Sequence, residues 1–272
     1  MAGAPTLGPV EPPLLHVMSY NIRRRMAHVR AGNPDRWEHR RPLLEAVLRR
    51  EGPSLLGVQE ALPDQAEAID GMLEPRFRRV GEGRNADGSG EQCPLYFDPE
   101  RLRLESWRQL ALSSTPSVPG SRSWGNLIPR IAVTAEFTEL ANDRTLRVVN
   151  LHLDHLSAPS RLRSARLIAR LVASSDTPAI VMGDANSPVG SPSYRALVSG
   201  GGLVDSWTLA EERATPEWGT FSGYRRPRVG GKRIDWLLVT DSVTVEAVGI
   251  NTVRFGGAAA SDHEPVQARL TL

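Results

Sequence analysis

The stretch Leu146–Asn186, LRVVNLHLDHLSAPSRLRSARLIARLVASSDTPAIVMGDAN, holds two apolar runs with an amphipathic run between them. Leu146–Leu153 and Ala179–Gly183 are short, largely apolar runs and read as strands. Between them, within Pro159–Ser174, Leu162, Ala165, Ile168, Leu171 and Val172 recur at helical steps with arginines on the other face. That pattern belongs to a helix with one side buried. Each strand runs straight into polar residues: His152-Leu153-Asp154-His155 after the first, Gly183-Asp184-Ala185-Asn186 after the second.

The same grammar extends outward. Strand-like runs occupy Leu14–Ile22, Ser54–Glu60, Pro94–Phe97, Ile131–Thr138, Ile234–Thr240 and Val266–Leu272. Leu43, Leu44, Val47 and Leu48 mark a helix over Arg40–Arg50, with Pro42 tolerable in its first turn. Glu139–Thr145, with Ala-Asn-Asp-Arg between two β-rich runs, reads as a hairpin turn. Strands joined partly by helices and partly by hairpins predict mixed sheets with helices packed outside. Gly81–Gly90 and Ser113–Trp124 read as long surface loops.

The 272 residues suit one domain over 14–272, preceded by a flexible leader over 1–13. The opening MAGAPTLGPVEPP has neither a basic nor an apolar signal region. No apolar run reaches the eighteen or so residues of a membrane span. Cys93 is the single cysteine, which rules out an intrachain disulfide and a cysteine zinc site, and a reducing cytoplasm fits. The formal charge is only +2, and Lys232 is the single lysine among 33 basic residues. Arginine forks match phosphate oxygens, although a GC-rich genome gives the same bias. So small a charge does not announce a nucleic-acid binder.

Polar residues collect where apolar runs stop: Ser19-Tyr20-Asn21, Gln59-Glu60, the two clusters above, and Ser261-Asp262-His263, with Asp235 inside RIDWLLV. Loops at one edge of a sheet build a single site from such residues. Carboxylates, amide and imidazoles together suit a hard, oxygen-seeking cation with acid–base chemistry. Singly, each cluster has a plain reading as a cap, an Asx-turn or a surface pair.

In this order, SYNIR, VQEA, NLHLDH, GDAN, RIDW and SDHEPV resemble the endonuclease/exonuclease/phosphatase superfamily with its deoxyribonuclease-I-like fold, from Leu15 to the C-terminus. The resemblance implies an α/β (α+β) four-layer sandwich, two mixed sheets face to face with helices outside, and a metal-dependent phosphoesterase. It implies Glu60 as principal metal ligand, with Asn21 and Asp262 close to the metal. It casts Asp184 as the base that deprotonates water beside Asn186, His263 as a phosphate contact held by Asp235, and His152 as a second phosphate contact. Asp154 and His155 match less universal positions. Mg²⁺ is the implied cofactor, with Mn²⁺ able to substitute.

Arg23 departs from the pattern. Some nuclease members carry a ligand aspartate there, whereas an arginine cannot bind a cation and could instead meet substrate phosphate or an internal carboxylate. The segments around WEHRR, SGEQ and SW…PRI resemble a bacterial branch related to sugar-phosphate and inositol-phosphate phosphatases. They suggest Arg40, Glu91, Trp124 and Arg130 as substrate contacts. The leading expectation is a phosphatase or phosphodiesterase of a small phosphorylated metabolite, a monomer with no membrane partner. A DNA or RNA nuclease and a catalytically silent phosphate-binding module are the alternatives.

Overall fold

A computed structural model describes residues 6–272. The chain opens with β1 (Leu15–Asn21), α1 (Trp37–Glu51), β2 (Leu55–Gln59), α2 (Pro63–Met72), β3 (Arg78–Val80) and β4 (Leu95–Phe97). Next come β5 (Leu102–Ala111), β6 (Ile131–Glu139), β7 (Arg144–His152), α3 (Ala158–Val172) and β8 (Ala179–Asp184). It closes with α4 (Pro192–Gly201), β9 (Leu203–Asp205), α5 (Ser206–Leu209), β10 (Glu212–Arg213), β11 (Asp235–Thr240), β12 (Thr244–Ile250) and β13 (Val266–Thr271).

The strands form two mixed sheets, a seven-stranded one ordered β10-β12-β13-β1-β2-β4-β3 and a six-stranded one ordered β5-β6-β7-β8-β11-β9. Val17, Leu55 and Ala268 of the first face Val133, Val148, Ile180 and Leu237 of the second in the central apolar layer. Leu44, Leu48 and Ile69 of α1 and α2 cover the outer face of the larger sheet, against Met18 and Leu56. Ile168 of α3 and Leu197 of α4 cover the smaller sheet, against Val149 and Trp236. Each such side chain, fully withdrawn from water, contributes about 1.5–3 kcal/mol. The result is the expected four-layer sandwich, with the Glu139–Thr145 turn joining β6 to antiparallel β7.

Strand direction gathers the polar clusters at one edge. β1 and β2 are parallel, as are β7 and β8, so Asn21, Glu60, His152 and Asp184 all stand at or just beyond C-terminal ends. β13 runs antiparallel to β1, and β11 antiparallel to β8. Their starts therefore meet the same edge. Asp235 opens β11 directly opposite Asp184, and Ser261-Asp262-His263 precede β13, so these residues begin strands instead of ending them. Beneath the site, Gln59 Nε2 donates to Asn150 Oδ1 across the sheets at 2.6 Å, and Asn150 Nδ2 donates to the Val58 carbonyl at 2.9 Å. Buried amides satisfied in this way set how the two sheets meet.

The leader differs from a loose tail where it is described. Residues 1–5 lie outside the described residues. Beyond them, the backbone N–H groups of Thr6, Leu7 and Gly8 donate to the Glu51 carboxylate at 2.9–3.2 Å, and Leu7 is buried. A fully buried carboxylate needs donors, and this segment supplies them. No helix of the described residues is long and apolar enough to cross a membrane.

Candidate active site

Asn21 donates through Nδ2 to Glu60 Oε1 at 3.1 Å and to Asp184 Oδ2 at 2.9 Å, which brings β1, β2 and β8 to one point. Glu60 has φ 65°, left-handed backbone that a glutamate seldom adopts and that the surrounding structure must hold in place. Burial opposes charge on Glu60, yet the Arg24 backbone N–H at 3.0 Å and the Asn21 amide keep its pKa below the usual range. Gly183 precedes Asp184 with φ 140°, and a Cβ there would stand 1.9 Å from the Leu151 carbonyl oxygen. Only glycine lets β8 pass β7 so closely.

Asp184 receives the Asn186 backbone N–H at 2.8 Å, while the Asn186 side chain donates elsewhere, to the Leu153 carbonyl at 3.0 Å. Asn186 thus acts on Asp184 through its main chain. His263 Nδ1 lies 2.9 Å from Asp235 Oδ2, and the Asp235 N–H donates to Thr220 Oγ1 at 3.1 Å. The other ring nitrogen of His263 is 3.8 Å from Asp184 Oδ2, and His152 Nε2 is 3.5 Å from the same oxygen. Ser261 Oγ donates to the Asn21 carbonyl at 2.7 Å and ties the segment before β13 to β1.

These contacts separate the titrations. Burial, then the Asp235 charge, pushes the Asp184 carboxyl up to about 7. Burial works against the His263 cation, but Asp235 and Asp184 outweigh it and raise that imidazole to about 10. His152 is held well below its ordinary value by burial first, then by Arg130 and His263. One histidine is therefore charged and the other neutral at pH 7.

Glu60, His152 and Asp184 each offer a ligand atom within 4.8 Å of the others, and so do Asp184, Asp235 and His263. Two carboxylates converging beside an imidazole fit a divalent cation, since like charges at this spacing repel until one is neutralised. Asp262 is outside both groups; its carboxylate faces Arg23 at 3.7 Å. Asn21 turns its NH₂ toward the carboxylates, so it orients them and presents no oxygen there.

The other sequence-based candidates divide. Arg23, at φ 58°, sits among Asp35 at 3.2 Å, Asp262 at 3.7 Å and Glu60 at 3.9 Å, and neutralises acids around Glu60. Arg130 is buried, salt-bridged to Asp154 at 3.4 Å and within 3.3 Å of both His152 ring nitrogens, with His155 against its other amino group. Asp154 also accepts from the Leu156 and Ser157 N–H groups, so it supports Arg130 and the entry to α3. Glu91, nearly buried, accepts from Arg24 and Arg84. Arg84, Glu91, Arg130 and His152 line one small recess.

Arg40 corrects the reading as a substrate contact: it is 0% exposed. Its guanidinium donates to the carbonyls of Ile22, Arg23, Arg24 and Asp35, so its hydrogen bonds hold the loop after β1. Trp124 is half-buried, with its carbonyl accepting from Ser157 Oγ and Arg163 stacked 6.0 Å over its ring. Thr220, Arg84 and Asp35 join the site without being singled out in the sequence, because no apolar run ends at them.

Comparison with known proteins bears on the family and the fold. The model of the Endonuclease/Exonuclease/phosphatase family matches residues 18–263. A mannosyl-6-phosphatase of Bacteroides thetaiotaomicron VPI-5482 superposes with TM-score 0.86 at 29% identity, over 95% of this chain and 100% of that one. An endonuclease/exonuclease/phosphatase of Bacteroides vulgatus gives 0.87 at 27% identity, over 95% and 99% of the two chains. The human Nocturnin catalytic domain, with a bound sulfate anion, gives 0.72 at 15% identity over 100% and 96%, a likeness of fold alone. Sequence, fold and comparison converge: the chain belongs to the Endonuclease/Exonuclease/phosphatase family, whose members are hydrolases of phosphate esters.

Proposed function

We propose that this protein is a Mg²⁺-dependent phosphoesterase of a small phosphorylated metabolite, a phosphatase or phosphodiesterase. The observation that carries the reading is the division of charge around His152. Glu60 and Asp184 stand on one side, ready for a cation, while Arg130 and Arg84 stand on the other, ready for anionic oxygens. The similarity to a mannosyl-6-phosphatase supports a small phosphorylated substrate over a nucleic acid.

In this reading Glu60 is the principal metal ligand with Asp262 close by, while Asp184 serves the attacking water and His152 the phosphate. When bound, Mg²⁺ neutralises phosphate charge and stabilises the leaving oxygen. Asp184, with a pKa near neutrality, accepts the proton of the attacking water. The water oxygen bonds to phosphorus as the bond to the leaving oxygen breaks, and that oxygen leaves as the alcohol with a proton from solvent, to which Asp184 afterwards releases the one it took. His263, charged and fixed by Asp235, donates Nε2–H to a non-bridging oxygen as its charge grows. His152 and Arg130, with Arg84 beside them in the same recess, contact the same phosphate. The lone buried Cys93 suits a reducing cytoplasm.

Release of inorganic phosphate from a panel of phosphomonoesters with Mg²⁺, run beside nicking of supercoiled plasmid, tests the proposal. Phosphate release without nicking is expected. Nicking without phosphate release would make the protein a nuclease, and no turnover with Mg²⁺ or Mn²⁺ would leave a phosphate-binding module.

A further inference from the structure

The segment from Gly219 to Lys232 forms a loop beside the active centre, and beyond Thr220, which accepts the Asp235 N–H, the site described above makes no use of it. The loop is built and held. Gly219 N–H donates to the Arg228 carbonyl at 2.9 Å, and Thr220 N–H to the Lys232 carbonyl at 3.1 Å, closing its base. The N–H groups of Ser222 and Gly223 both donate to the Asp262 carbonyl, at 2.9 and 3.0 Å, and Tyr224 Oη donates to Asp35 at 2.7 Å. The exposed ring of Phe221 packs edge-on against His263 with centroids 5.0 Å apart, so the loop's position is coupled to that of the imidazole.

Phe221, Ser222, Arg225, Arg226, Arg228 and Lys232 line a cavity of about 490 Å³. All four cationic side chains are exposed, and none makes a hydrogen bond or ion pair among the described residues. The nearby acids are already engaged: Asp262 faces Arg23, Glu264 pairs with Arg254, and Glu217 and Asp205 pair with Arg233. Four unpaired cations on one loop, in a sequence with a net charge of only +2, make a local excess of positive charge suited to an anion from outside. Phe221 lines the same cavity and packs against His263, and a bound molecule's apolar face would rest on it.

We propose that this recess is a second anion subsite of the same active centre, taking a further phosphate on the leaving-group side of the substrate. The preferred substrate class is then a small molecule carrying two phosphates, one cleaved at His263 and one held by Arg225, Arg226, Arg228 and Lys232. This inference rests on the phosphoesterase reading, but its binding arm is independent of turnover.

The test compares fructose 1,6-bisphosphate with fructose 6-phosphate in the Mg²⁺-loaded full chain and in the Arg225→Gln/Arg226→Gln/Arg228→Gln variant. It uses KM from phosphate release and Kd from calorimetry at low and high salt. Wild type should favour the bisphosphate by roughly 10-fold or more, with a steeper loss at high salt, and the ratio should fall toward one in the variant. The side chains changed are exposed, and Lys232→Gln alone, expected to lower the ratio in part, repeats the test with one substitution. If the Kd ratio still collapses while neither sugar nor the wider ester panel is hydrolysed with Mg²⁺ or Mn²⁺, the subsite stands and the phosphoesterase reading falls. Equal ratios in both proteins would overturn the subsite. So would a variant whose only change is weaker binding of a single-stranded oligonucleotide, because the loop would then serve a strand.

Discussion

Asn21 Nδ2 and Asp184 Oδ2 lie 2.9 Å apart although 163 positions separate them, and the bond joins the end of β1 in one sheet to the end of β8 in the other. A second bond from the same Nδ2 reaches Glu60, so one amide sets the spacing of two carboxylates. The chemistry proposed here depends on that spacing.

Replacing Asp184 by Asn removes the proton acceptor and leaves the volume unchanged. Turnover should fall by ~10²-fold or more. Its buried charge also repels Asp235, so the melting temperature should hold or rise. Steady-state kinetics and a thermal melt check both, and turnover within a few fold of wild type would show that another group takes the proton.

In metal-free protein, histidine NMR titration should place His263 at about 10 and His152 well below 6.5. A folded-state pKa raised above the unfolded 6.5 gives stability that is complete below pH 6.5 and lost as pH rises through about 10. Asp235→Asn should lower the His263 pKa and shrink that alkaline loss. An unchanged His263 titration in the variant would separate the two residues functionally.

Chelation should abolish phosphate release, and Mg²⁺ or Mn²⁺ should restore it. Metal at a hundred times its Kd should stabilise the fold by about 2.7 kcal/mol. Glu60→Gln should lose most of that thermal shift and weaken metal activation by ~10-fold or more. A full shift retained by the variant would place the metal elsewhere.

Arg40→Ala should destabilise the protein by roughly 3 kcal/mol, because several buried carbonyls lose their donor at once. Arg40→Lys should not rescue it, since an ammonium cannot reach the same fan of acceptors. Denaturant unfolding reads this directly. A loss below about 1 kcal/mol would mean that water takes over those carbonyls.

Legibility followed burial. β1, β2 and β8 are buried along their length and stood out as apolar runs. β5, at a sheet edge and half exposed, carries Arg, Glu and Gln that hide the strand, and the bulge at Glu246 breaks the alternation of β12. Among site residues, those ending or opening buried strands were readable, while Thr220, Arg84 and Asp35 lie in loops without periodicity. Arg40 was misread because a helix position does not reveal that its guanidinium is turned inward.

The sequence by itself determined the layered α/β architecture and the set of polar residues left where apolar strands stop, since water excludes apolar surface in a pattern set by local periodicity. Only the tertiary structure decided that strand starts and strand ends share an edge, which histidine is charged, and which arginines are spent internally. Those outcomes depend on distances and burial between groups far apart in the chain, and electrostatic energy follows distance and dielectric, not sequence order.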